Sequence, residues 1–217
     1  DGVFAIVITL LVLDLSLPAV TENLLHALVG QWSVFLAYII SFAFVGSVWI
    51  SHSSVTALVK QETPHSYRLT LLMLFFVSLI PFTTKLMSFY LSNPPTIPDF
   101  TGMDLFSVLL VVNEIGRATL SAPVTIYGFD LLAASVTLNV IMKSAIRTPG
   151  MLADEWAKTE LDAMQRRQQF GVYTIVATLV CGFLLPIVAV GGYILVSIVF
   201  FITPTVVIAR ERLKKKS

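Results

Sequence analysis

GVFAIVITLLVLDLSLP, residues 2–18, carries one charge, Asp14, in seventeen positions. Crossing a hydrocarbon core of about 30 Å takes about 20 mostly apolar residues. The stretch is slightly short for that, and its length matches the apolar region of a signal peptide. It has no small-x-small cleavage site, so a membrane span lengthened by residues upstream of Asp1 is expected. Working outward, the segments 32–54, 68–90, 121–146, 168–190 and 191–209 have the same character. Together they predict an all-α polytopic membrane protein with six transmembrane helices in one domain, 1–217. Gly191 and Gly192 are read as the tight turn between the last two spans.

Composition agrees. Hydrophobic residues make up 56% and charged residues 12% of the 217, and the mean hydropathy is +0.86. A soluble domain clothes its surface with about 25% charged residues. With the N-terminus inside, the cytoplasmic segments hold Lys60, Arg68, Lys143, Arg147, Lys158, Arg166, Arg167, Arg210, Arg212, Lys214, Lys215 and Lys216. Only Lys85 and Arg117 fall on the outer side. Such a bias places both termini in the cytoplasm, and the tail RERLKKKS reads as an anchor on anionic lipid rather than a nucleic-acid site. The connection 147–167 reads as a solvated loop whose second half is helical. In the outer segment 91–120, the run DLFSVLLVV is too short to span, so it lies at the interface or re-enters.

The motifs exclude several classes. There is no G-x-S-x-G, H-E-x-x-H or phosphate loop, so no enzyme is expected. One cysteine, Cys181, rules out a disulfide within the chain, and the three histidines are scattered. A T-V-G-Y-G potassium filter is also missing. At about 100° per residue, Ile6, Leu10, Leu13 and Leu17 line one face of the first helix, with Gly2 and Thr9 at its border. Phe4, Ile8, Leu11 and Leu15 fall opposite, with Asp1. Either the stripe is ordinary packing, or several copies of this helix surround an axis and their aliphatic rings form a dewetting constriction.

Two further features stand out. Trp49 and His52, in GSVWISHSS, share a face of the second span. An intramembrane histidine needs partners; His52 is either a neutral brace bonded to Asp1 or another helix, or a proton sensor. Lys85 and Asp130 are the remaining intramembrane charges, expected at similar depth, where they pair or line a water-filled outer cavity.

DGVFAIVITLLVLDL, GSVWISH, LIPFTT and IYGFDLLAASVTLN, in that order along the chain, resemble the transmembrane protein 175 family of lysosomal potassium channels and their prokaryotic relatives. Animal members carry two six-span repeats; one repeat here is similar to a bacterial or archaeal member, which implies the prokaryotic inner membrane. The resemblance implies a homotetramer with span one lining a potassium-conducting pore and no cofactor. By position it makes Ile6 the hydrophobic gate, Leu10 and Leu13 further constricting layers, and Thr9 a selectivity position, with permeant potassium ions passing near Ile6, Thr9 and Leu13. Asp1 matches the last residue of an R-x-x-x-F-S-D motif, and Trp49 and His52 the residues that brace it. Relatives often have Asn and His where Ser51 and Ser53 stand, and Asn where Asp130 stands. Asp14 and Glu22 are expected as acids that concentrate cations at the outer mouth. A proton- or cation-coupled secondary transporter is the alternative, although neither inverted repeats nor matched broken helices are visible. A membrane scaffold without transport is a third class.

Overall fold

The computed structural model describes residues 2–15, 24–93, 100–119, 121–152 and 155–202. They form eight α-helices: α1 (Gly2–Leu13), α2 (Leu24–Gly30), α3 (Trp32–Leu58), α4 (Pro64–Ser92), α5 (Leu105–Thr119), α6 (Ser121–Arg147), α7 (Glu155–Leu184) and α8 (Pro186–Ile202). Among the described residues there is no strand, only an isolated antiparallel bridge between Val59 and Leu152. Asp1 and Glu22 lie outside the described residues.

By length and composition α3, α4 and α6 can each cross a membrane, whereas α1 and the apolar parts of α5 and α8 are shorter. At about 1.5 Å per residue, the 27 residues of α3 and the 29 of α4 reach about 40 Å, more than the hydrocarbon thickness. Thr63 starts α4 as an N-cap, its hydroxyl accepting from the Ser66 N–H at 3.2 Å, and Pro64 occupies the first turn. There the missing proline N–H costs nothing. Pro81 sits within α4, which nevertheless runs on to Ser92.

The last turn differs from the sequence expectation. The chain breaks at Leu185–Pro186, and Gly191 and Gly192 lie inside α8. Proline has no N–H to continue α7 and a backbone angle suited to opening α8. The glycine at 192 serves packing instead: a β-carbon there would meet Thr178 Cγ2 of α7 at 2.5 Å. Small residues let membrane helices approach in this way. The connection 147–167 follows its sequence reading in its second half, where α7 begins at Glu155 and runs without a break into its apolar half.

Packing centres on α6, which lies against α4 and α7, while α8 joins α7 to α3. The first helix rests on α3 and α4. In the interior, Tyr127 and Tyr193 meet edge to face with ring centroids 5.2 Å apart. The Tyr193 hydroxyl donates to the Val124 carbonyl at 2.9 Å. A second buried chain crosses three helices. Thr84 Oγ1 donates to the Ile80 carbonyl at 2.6 Å, Ser41 Oγ lies 2.7 Å from Thr84 Oγ1, and Tyr127 Oη lies 2.9 Å from Ser41 Oγ. A hydroxyl has one proton to give, so the direction is fixed: Tyr127 donates to Ser41, Ser41 to Thr84, and Thr84 to the backbone. The chain ties α6, α3 and α4 together with every proton used, which is what a dry interior demands of polar groups.

Candidate functional site

α1 is apolar all round, yet its packing is one-sided. Phe4, Val7 and Leu11 are 2%, 2% and 1% exposed, whereas Ile6, Leu10 and Leu13 are 60%, 44% and 76% exposed. Val3, Ala5, Thr9 and Val12 are exposed as well, and Ile8 and Leu15 are half-buried. On a helical wheel the open residues cover about half the circumference, centred on Ile6, Thr9 and Leu13. The buried spine runs Phe4–Val7–Leu11, so its centre is turned toward Val7 from the Phe4–Ile8–Leu15 face expected from periodicity. The Thr9 hydroxyl donates to the Ile6 carbonyl at 2.8 Å. Its proton is thereby spent within the helix, and its lone pairs are left on the open face.

The braces are partly as expected. His52 is half-buried on α3, and its ring lies 6.2 Å from that of Phe4, tilted by 34°. His52 therefore supports α1 through an aromatic contact. The expected contact to Asp1 falls outside the described residues. Trp49, one turn earlier on α3, is 40% exposed. The phenylalanine at position 4 was legible only as part of the buried face. Nothing in its spacing marked it as the partner of His52.

The Lys85–Asp130 pair is corrected. Lys85 Nζ lies 3.1 Å from Asp14 Oδ1, which binds α4 to the end of α1. Asp130, on α6, is buried and accepts from the Thr83 hydroxyl at 2.9 Å. Positions 83 and 85 lie about 200° apart on a helix, so a residue two places from Thr83 cannot also face α6. The other carboxylate oxygen of Asp130, Oδ1, has no hydrogen-bond partner among the described residues. Asp14 is accordingly a paired acid here, not a bare one.

On the α5 side, Asp104 precedes the helix and accepts from the Ser107 hydroxyl at 2.6 Å and from the backbone N–H groups of Phe106 and Ser107. These bonds hold its carboxyl below the usual range, the Ser107 hydroxyl contributing most. Beyond it α5 exposes Leu105, Phe106, Leu109 and Leu110.

Both the sequence and the helix bundle are similar to known proteins. Residues 1–81 match the model of the family described as the endosomal/lysosomal potassium channel TMEM175. A crystal structure of a lysosomal potassium-selective channel TMEM175 homologue from Chamaesiphon minutus superposes with a TM-score of 0.73 at 25% identity, covering 94% of both chains. The chain is similar to TMEM175 channels. A potassium channel of Chamaesiphon minutus is 28% identical over 204 residues, 92% of this chain and 89% of that protein. A potassium channel of Streptomyces collinus is 40% identical over 93 residues, 42% of this chain and 45% of that protein. The mouse endosomal/lysosomal proton channel TMEM175 is 36% identical over 104 residues, 43% of this chain but only 21% of the longer mouse protein. The family match at residues 1–81 takes in all of α1, α2 and α3 and most of α4, the helices that carry Ile6, His52 and Pro81.

Proposed function

We propose that this chain is a potassium-preferring cation channel, a six-span protein with both termini in the cytoplasm. It assembles as a homotetramer around α1 in the prokaryotic inner membrane. The observation that carries this reading is the open half of α1, with Ile6, Leu10 and Leu13 uncovered while Phe4, Val7 and Leu11 are packed. One helix encloses nothing; several copies turned with this face inward enclose a narrow apolar tube. Rings of Ile6, Leu10 and Leu13 form the constriction, and Thr9 supplies oxygen lone pairs between them. Lys85 and Asp14 stand at one mouth, while Trp49 and His52 hold α1 from behind.

An ion in an apolar ring gives up hydration without receiving ligands, so the rings make a barrier. Potassium is held less tightly by water than sodium and loses part of its shell more easily, which favours it without a carbonyl filter. The reading is supported by the channel names of the bacterial relatives and by the like fold of the Chamaesiphon channel. The test is flux into liposomes carrying the purified protein under matched potassium and sodium gradients, with an internal pH dye as a third readout because mammalian relatives are named proton channels. Passive potassium flux exceeding sodium flux is expected. Saturable uptake driven by a counter-ion would instead mean a carrier.

A further inference from the structure

Asp14 directly follows Leu13, the most open of the large apolar residues of α1. Continuing the helical turn puts it about 80° from Ile6 and about 40° from Leu10, on the border between the open half and the half packed on α4. Lys85 reaches it from α4, Nζ to Oδ1 at 3.1 Å, with side-chain exposures of 71% for the lysine and 21% for the aspartate. The acid is thus enclosed between helices, while its counter-charge stands largely in the open. An ion pair with one partner so exposed holds weakly and is screened by salt. Its larger effect is on the local field, because each pair cancels one negative charge beside the ring of Leu13.

We propose that Lys85 is the counter-charge that sets the electrostatic potential of the pore mouth at the C-terminal end of α1, and with it the supply of cations to the constriction. This rests on the pore reading of α1. Four copies around an axis make a mouth that is neutral at this level when every pair is intact and carries four negative charges when Lys85 is neutralised. Clustered charge of one sign at an entrance raises the local concentration of the opposite ion, and salt removes the effect.

The experiment measures potassium flux in liposomes at about 10 mM and about 1 M salt, where the screening lengths are about 30 Å and about 3 Å. Lys85→Gln is expected to raise flux several-fold at low salt and to match the parent at high salt. Asp14→Asn should lower it at low salt, Lys85→Arg should behave as the parent, and Lys85→Gln with Asp14→Asn should lose the gain. An unchanged low-salt flux in Lys85→Gln overturns the proposal. So does a gain that persists at 1 M salt or in the double variant, which is loosened packing rather than charge. Leu10→Ala, run alongside, separates the two layers: if it alters flux while Lys85→Gln does not, the mouth inference falls and the pore stands. If neither acts, the pore assignment falls. Elution of each variant as one symmetrical peak at the parent's size excludes misfolding.

Discussion

Leu10→Ala is expected to raise potassium leak about tenfold or more and to bring sodium flux closer to potassium flux. Leu10 is 44% exposed on α1, so truncating it leaves little cavity inside the subunit. In the proposed assembly the change falls on the pore instead. Each subunit loses three side-chain carbons from one ring, and the ring becomes wide enough to hold water. A tenfold rise corresponds to about 1.4 kcal/mol off the barrier, modest beside the cost of stripping an ion. Discrimination falls with it, because a wetter ring asks less dehydration of either ion. The contrast is Leu11→Ala, one residue on. Leu11 is fully buried, so that variant loses stability with little direct effect on the pore surface, by about 2–5 kcal/mol for a leucine cavity. Flux in liposomes and melting in detergent, compared for the pair, separate lining from packing.

The second large effect is expected at Gly128. A β-carbon there would overlap the Tyr193 hydroxyl, approach Leu179 Cδ2 to 2.6 Å and reach Tyr193 Cζ at 2.8 Å. Tyr193 is fully buried and held by its bond to the Val124 carbonyl, so it has nowhere to move. Gly128→Ala should cost about 3 kcal/mol by overpacking, lowering the melting temperature by about 5–10 °C. Gly128→Val should fail to give a monodisperse protein. Tyr193→Phe alone loses one hydrogen bond, about 1 kcal/mol. Combined with Gly128→Ala it should recover part of the loss, since the overlapping oxygen is gone. Equal melting temperatures for Gly128→Ala and the parent would show that α6, α7 and α8 do not meet as closely as this.

Much of this architecture is written in the sequence, for physical reasons that also mark where it stops. Hydropathy places α3, α4 and α6 to within four residues at each end, because runs of more than 20 apolar positions have no other stable home. Periodicity separates Ile6, Leu10 and Leu13 from Phe4 and Leu11, since one side of a helix packed at the rim of a bundle must stay open. What could not be read were choices among equivalent partners. Lys85 had two acids within plausible depth. Only the relative rotation of α1, α4 and α6 assigns Asp14 to it and Thr83 to Asp130. The hydroxyl chain from Tyr127 through Ser41 to Thr84 joins residues 41, 84 and 127, each unremarkable within its own span. The turn was misplaced for a related reason. Gly191 and Gly192 look like a break, but a membrane helix accepts glycine where a neighbour presses close, and Pro186 is the stronger stop.

The most direct test of the pore assignment is block of flux at a single engineered thiol. The native Cys181 is exposed, so the background is Cys181→Ser. Leu13→Cys then puts a thiol on the open face of α1, and Phe75→Cys puts one on an exposed position of α4. Potassium flux through liposomes is followed before and after adding silver ion. Rapid, nearly complete block is expected in Leu13→Cys, with unaltered flux in Phe75→Cys and the cysteine-free background. Flux in Leu13→Cys that is untouched while silver demonstrably labels the thiol would contradict the pore assignment and place the ion pathway away from α1.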